Sequence, residues 1–139
     1  VTDASALDKF IRGLRAKIIC HLEEILDVEI HYPCSQVMLF ACGSVSRSAR
    51  YAMRLARREG LDVGLIRPLT VWPFPSDMVR RAVDGSRMVL VMENNLGQLV
   101  HFVRASVADP SRVAFLPPET LGTIHRVNYV MEIMRKAMP

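Results

Sequence analysis

A chain of 139 residues, half of them hydrophobic, is the size of one domain and can bury a core of its own. No apolar run approaches the ~18 residues that a membrane-spanning helix needs, and no signal peptide stands at the start. The formal net charge of +4 comes almost wholly from dispersed arginines, which argues against a basic tail for nucleic acid.

Residues 5–28 place Leu7, Phe10, Ile11, Leu14, Ile18, Leu22 and Ile25 on one helical stripe, with charges opposite. Pro33 in "EIHYPCS" ends that pattern. Four short, continuously apolar runs follow, at 37–42, 63–67, 88–92 and 113–116. Each is too short for a helix and none alternates with period two, which is how strands covered on both faces read. Helical patterns at 44–59, 76–84, 97–108 and 123–137 separate or follow them, with Gly60 and Gly85 where C-terminal caps belong. The expected fold is therefore a three-layer α/β domain. It has a mostly parallel open sheet of four to five strands, helices on both faces and a leading N-terminal helix. We divide the chain into a leading helix and linker, 1–36, and an α/β domain, 37–139. The start at Val1, entering a helix almost at once, suggests a fragment of a longer subunit.

"ACGSVSRSAR" is a strand end, a glycine turn and a helix start. A phosphate could sit on such a helix N-terminus, but a dinucleotide fingerprint needs three spaced glycines and only Gly43 is present. Ser44 reads as an N-cap. The next helix carries Arg47, Arg50, Arg54 and Arg57 on one face, opposite Val45, Ala49, Ala52, Met53 and Ala56. This basic stripe is a solvated face or a partner for carboxylates, since no aromatic platform for nucleic acid accompanies it.

In "VMENNLGQLVHFV", Glu93, Asn94 and Asn95 leave a buried strand and enter a helix at the carboxyl edge of the sheet, where open α/β folds place ligands. Ligand or subunit contact weighs evenly there against simple helix capping by Asn94 or Asn95. Asp84-Gly85 and Asn94-Asn95 imitate a thiamine diphosphate and magnesium signature. However, position 83 is Val and the gap is far too short, so the chain is not expected to hold the diphosphate. His21, His31, His101 and His125 show no metal-ligand spacing with each other or with Cys20, Cys34 and Cys42. The cysteines form no C-x-x-C pair and, without a secretory signal, fit a reduced cytoplasmic protein. No complete catalytic set is visible.

"RPLTVWPFP" runs from a buried strand into a loop held by Pro68, Pro73 and Pro75 and carrying the only tryptophan. Prolines fix φ, so the loop meets a partner already ordered, and Trp72 and Phe74 offer large apolar area. The alternative is that Trp72 folds back as a lid on its own core.

Together, "CGSVSRSARYAMRLARREGLDVGLIRPLTVWPFP" and "VLVMENNLGQLV" resemble the second domain of the alpha subunit of 2-oxoacid:ferredoxin oxidoreductases, which is related to the transketolase C-terminal domain. The resemblance runs from about residue 37 to 108. It implies an enzyme that decarboxylates a 2-oxoacid on thiamine diphosphate and magnesium, sends electrons through iron–sulfur clusters to ferredoxin, and releases acyl-CoA. It also implies that these cofactors lie in other domains or subunits, none being bound by this chain. The partners implied are a thiamine-binding beta subunit and an iron–sulfur subunit, with a homodimer open as well, and neither nucleic acid nor membrane. The interface candidates are Arg67, Trp72, Phe74, Glu93, Asn94, Asn95 and Gln98. "FLPPETLGTIHRVNYVMEIM" departs from the Gly-Gly segment common in relatives and leaves the 2-oxoacid open. A rival reading is a free-standing module that binds a small anion near Gly43, Arg67 and Glu93.

Overall fold

Strands buried on both faces must be apolar along their whole length, and the four apolar runs are strands in the computed structural model, which describes residues 3–138. In chain order the elements are α1 (Ala4–Cys20), α2 (Leu22–Ile25), β1 (Val28–His31), β2 (Val37–Ala41), α3 (Val45–Arg58), β3 (Val63–Pro68), α4 (Ser76–Ala82), β4 (Met88–Met92), α5 (Leu99–Ser106), β5 (Val113–Leu116) and α6 (Val127–Ala137). The sheet order is β1-β3-β2-β4-β5, with β2 to β5 parallel and β1 antiparallel to β3. The expected three-layer α/β architecture is observed, with the leading helix split at His21 into α1 and α2.

The sheet divides the core in two. On one side Leu39, Leu65 and Leu90 pack against Ala49, Ala52 and Met53 of α3 and Val130 and Met134 of α6. On the other, Phe40, Ile66 and Val91 pack against Val79 of α4 and Val100 and Val103 of α5. β3 lies on one side of β2 and β4 on the other, so the loops after β2 and β4 flank the switch point where open α/β sheets open a crevice.

β1 is the one strand that sequence reading missed. Its pairing runs Val28↔Pro68, Glu29↔Arg67, Ile30↔Ile66 and His31↔Leu65. Gly64 allows it to lie there, because a Cβ at that position would run into the backbone oxygens of Tyr32 and His31 and the Met38 sulfur. Gly60, at φ +84°, turns the chain out of α3 as expected of a C-terminal glycine. Ser44 departs from expectation. It stands at the N-cap position of α3 but its side chain makes no capping bond, and it is the Ser46 hydroxyl that donates back to the Gly43 carbonyl at 2.6 Å.

Candidate functional site: the carboxyl edge and an apolar groove

The turn after β4 is organised around one buried carboxylate. Glu93 is 4% exposed and accepts the backbone N–H groups of Gln98 (3.2 Å), Leu99 (2.8 Å) and Val100 (3.0 Å), together with the Asn95 side-chain amide at 3.2 Å. These are the orphan donors of the α5 N-terminus, where an anion also meets the favourable end of the helix dipole. Asn95 Oδ1 accepts from Gly97 N–H at 2.7 Å, and Asn94 Oδ1 reaches across to the 117–126 loop to accept from Gly122 N–H at 2.8 Å. The capping expected of an asparagine is thus carried out by Glu93, which does not reach solvent.

This arrangement decides what the edge can hold. A diphosphate at the α5 N-terminus would need the N–H groups that Glu93 already occupies, so the residues here do not fit one. At α3 the N–H groups of Ser46 and Arg47 close on the carbonyls of Gly43 and Ser44. Burial pushes the Cys42 thiol up, and the neighbouring Glu93 carboxylate adds to the rise, so this cysteine is a poor thiolate nucleophile at neutral pH. His125 is buried at the end of β5 and donates its Nε2–H to the Leu116 carbonyl at 2.7 Å. Among the described residues no group of three or more His, Cys, Asp and Glu side chains is placed to hold a metal ion.

Arg67, at the end of β3, is drawn away from the crevice. It donates to Glu29 on β1 at 3.0 Å, and Arg50 of α3 bonds the other oxygen of the same carboxylate. The Arg67 hydrogen bond and the charges of Arg67, Arg50 and His31 hold Glu29 below its ordinary 4.5. Sequence reading missed Glu29. The only local signal was the alternation in "VEIH", four residues that are too few to mark an edge strand by themselves.

The loop after β3 splits its two aromatic residues. Phe74 turns inward, with its ring centroid 6.0 Å from that of Phe40 and 5.5 Å from that of Phe102. Trp72 is 68% exposed. It lines a groove of about 680 Å³ together with Leu14, Ile18, Ile19, Leu22 and Leu26 of the N-terminal segment and with Met78 and Phe102. The stripe on α1 that the sequence marks as apolar has no buried residue, and Phe10 and Ile11 are 62% and 55% exposed. Ile19, Met78 and Phe102 joined no expected site, because only the fold brings α1, α4 and α5 to one groove.

The edge candidates therefore do not converge on one ligand. Glu93, Asn94, Asn95 and Gln98 form a closed turn, Arg67 belongs to the Glu29 cluster, and Trp72 faces the groove.

Residues 35–130 match the family described as pyruvate:ferredoxin oxidoreductase core domain II. A 2-oxoglutarate synthase subunit KorA of Methanothermobacter marburgensis is 36% identical over 132 residues, 94% of this chain and 34% of the relative. A ketoisovalerate oxidoreductase subunit VorB of Methanothermobacter thermautotrophicus is 35% identical over 102 residues, 73% of this chain and 28% of the relative. The chain thus spans about a third of the length of the curated relatives it matches. In fold it is similar to 2-oxoglutarate:ferredoxin oxidoreductase from Magnetococcus marinus, with TM-score 0.85 and 21% identity over 100% of this chain and 24% of that one. It is also similar in fold to a split-gene transketolase, with TM-score 0.64 and 13% identity over 81% of this chain and 42% of that one. The chain belongs to the pyruvate:ferredoxin oxidoreductase core domain II family, found in 2-oxoacid:ferredoxin oxidoreductase subunits.

Proposed function

We propose that this chain is the non-catalytic assembly domain of a 2-oxoacid:ferredoxin oxidoreductase alpha subunit. The observation that carries the reading is a contrast. The carboxyl edge, where chemistry would sit, is filled by the chain's own Glu93, while a long apolar groove beside Trp72 stays open to solvent. Exposed area of this kind marks contact surface. The occupant we assign to it is a neighbouring subunit of the complex, because the relatives that the chain matches are themselves named as subunits.

In the whole enzyme, thiamine diphosphate with magnesium, iron–sulfur clusters and CoA belong to other domains and subunits, among them a thiamine-binding beta subunit and an iron–sulfur subunit. The reaction of the assembled complex is oxidative decarboxylation of a 2-oxoacid to an acyl-CoA with ferredoxin as acceptor, in the cytoplasm. Among 2-oxoacids we favour 2-oxoglutarate, because the relatives that cover most of the chain carry that name.

The test compares two substitutions in the full-length subunit. Trp72→Ala should leave the subunit's own stability within about 0.5 kcal/mol and weaken its assembly. Phe74→Ala should cost about 2 kcal/mol of stability through lost packing against Phe40 and Phe102. Normal assembly of the Trp72→Ala subunit, measured by analytical ultracentrifugation, overturns the docking reading.

A further inference from the structure

Helix α3 breaks a local rule that little inside the chain restores. Its 14 residues, Val45–Arg58, include arginine at 47, 50, 54, 57 and 58 and no carboxylate. Like charges three or four apart destabilise a helix, and Arg47 in the first turn also opposes the helix dipole. The structure divides these cations in two. Arg50 is bound to Glu29, and Arg57 donates to Asp62 at 3.3 Å and the Val63 carbonyl at 3.0 Å while lying 3.7 Å over the Tyr32 ring. Arg47, Arg54 and Arg58 make no ion pair or side-chain hydrogen bond among the described residues.

Those three, with Tyr51 at 56% exposure, stand at i, i+4, i+7 and i+11 and form one line on the outer face of α3. At the helical rise the line is about 16 Å long. Arg54 and Arg58 also edge a shallow hollow of about 280 Å³ with Tyr32 and Met53. α3 covers the opposite side of the sheet from α4 and α5, whose Met78 and Phe102 line the apolar groove.

We propose that the line Arg47–Tyr51–Arg54–Arg58 docks a carboxylate-bearing helix of another protein subunit. This surface is separate from the groove and independent of what fills it. Guanidinium groups take carboxylates with two parallel bonds, and a partner helix with Asp or Glu at the same spacing presents one to each arginine. Tyrosine and arginine are the residue types enriched in protein–protein contacts, and here the tyrosine sits within the row. The geometry favours a protein over nucleic acid. A phosphate backbone is tracked by a basic channel with several stacking rings, whereas this is one helix carrying one ring, and the Tyr32 ring beside it is already stacked under Arg57.

The test uses the full-length subunit in its assembly. Arg47→Gln, Arg54→Gln and Arg58→Gln are combined, association is followed by mass photometry over dilution and salt, and stability is read by thermal denaturation. The two readouts should move in opposite directions. Association weakens by about tenfold or more, while the melting temperature holds or rises because the like-charge repulsion along α3 is gone. The matching lysine variant, which keeps charge but loses the planar fork, recovers part of the association. Unchanged association in the glutamine variant overturns the proposal in favour of a solvated face. Parallel loss of association and melting temperature also overturns it, since the arginines would then serve α3 itself. If nuclease treatment of the wild type reproduces the weakening, the occupant is nucleic acid and the carboxylate assignment falls.

Discussion

The turn after β4 and the loop after β3 leave the same edge of one sheet, and both hold residues whose types suggest function. In the turn, the side-chain oxygens of Glu93, Asn94 and Asn95 are all claimed by backbone N–H groups of the chain itself. In the loop, Phe74 is claimed by Phe40 and Phe102, but Trp72 finds no such packing and stands in solvent beside an open groove. The difference lies in what each group tolerates. A buried N–H without an acceptor has no substitute for it, so the nearest carboxylate becomes structural. An aromatic ring can stay exposed at moderate cost until a partner covers it. Polar residues at a sheet edge are thus weaker evidence of function in this fold than uncovered apolar ones.

The sharpest way to break this comparison is Glu93→Ala. It leaves three helix N–H groups without their acceptor in a buried turn and should destabilise the chain by about 3 kcal/mol in urea denaturation. An unchanged stability with loss of enzyme activity in the full assembly would place Glu93 in the chemistry and reverse the contrast. Next in size is Gly64→Ala, which drives a methyl group into the Tyr32 and His31 carbonyls. It should cost about 2 kcal/mol and speed proteolysis on the N-terminal side of Val37, because β1 must lift from β3 and carry α1 with it. Stability equal to wild type would show that β1 is held by something other than its register.

The smallest effect concerns acid. Because its arginine partners depress Glu29 in the folded state, the stability it adds is present above its ordinary 4.5 and is lost as the pH falls below that value. Asp62, depressed by the Gln36 N–H and by Arg57, loses its contribution in the same direction. Glu29→Gln should therefore lower the neutral plateau of a stability–pH curve slightly and meet the wild-type curve as the pH falls, which flattens part of the acid limb. An unaltered acid limb would mean that the Glu29–Arg67–Arg50 cluster does not hold β1 and α3 together.

Much of this molecule can be read without coordinates. The runs at 88–92 and 113–116 coincide with β4 and β5, and the helical patterns at 44–59 and 123–137 contain α3 and α6. Continuous burial leaves a strand no room for polar residues, and one buried helical face imposes a period of its own, so both signals are local. β1 failed that test. Four residues, "VEIH", alternate too briefly to stand out between a helical stripe and Pro33, and their strand exists only because β3 offers an edge. The Glu93 cap failed it for a related reason, since its donors lie five to seven residues ahead and reach it only once β4 and α5 are in place.

The sequence by itself determined the layers, the parallel strands, the arginine-rich helix and the family resemblance, all of which rest on residue types at short spacing. Only the tertiary structure decided that Glu93 turns inward and Trp72 outward, that Arg50 and Arg57 are paired while Arg47, Arg54 and Arg58 find no partner among the described residues, and that α1 and Trp72 line one open groove. Whether a side chain is satisfied or available depends on partners far away in the chain, and no local pattern encodes that.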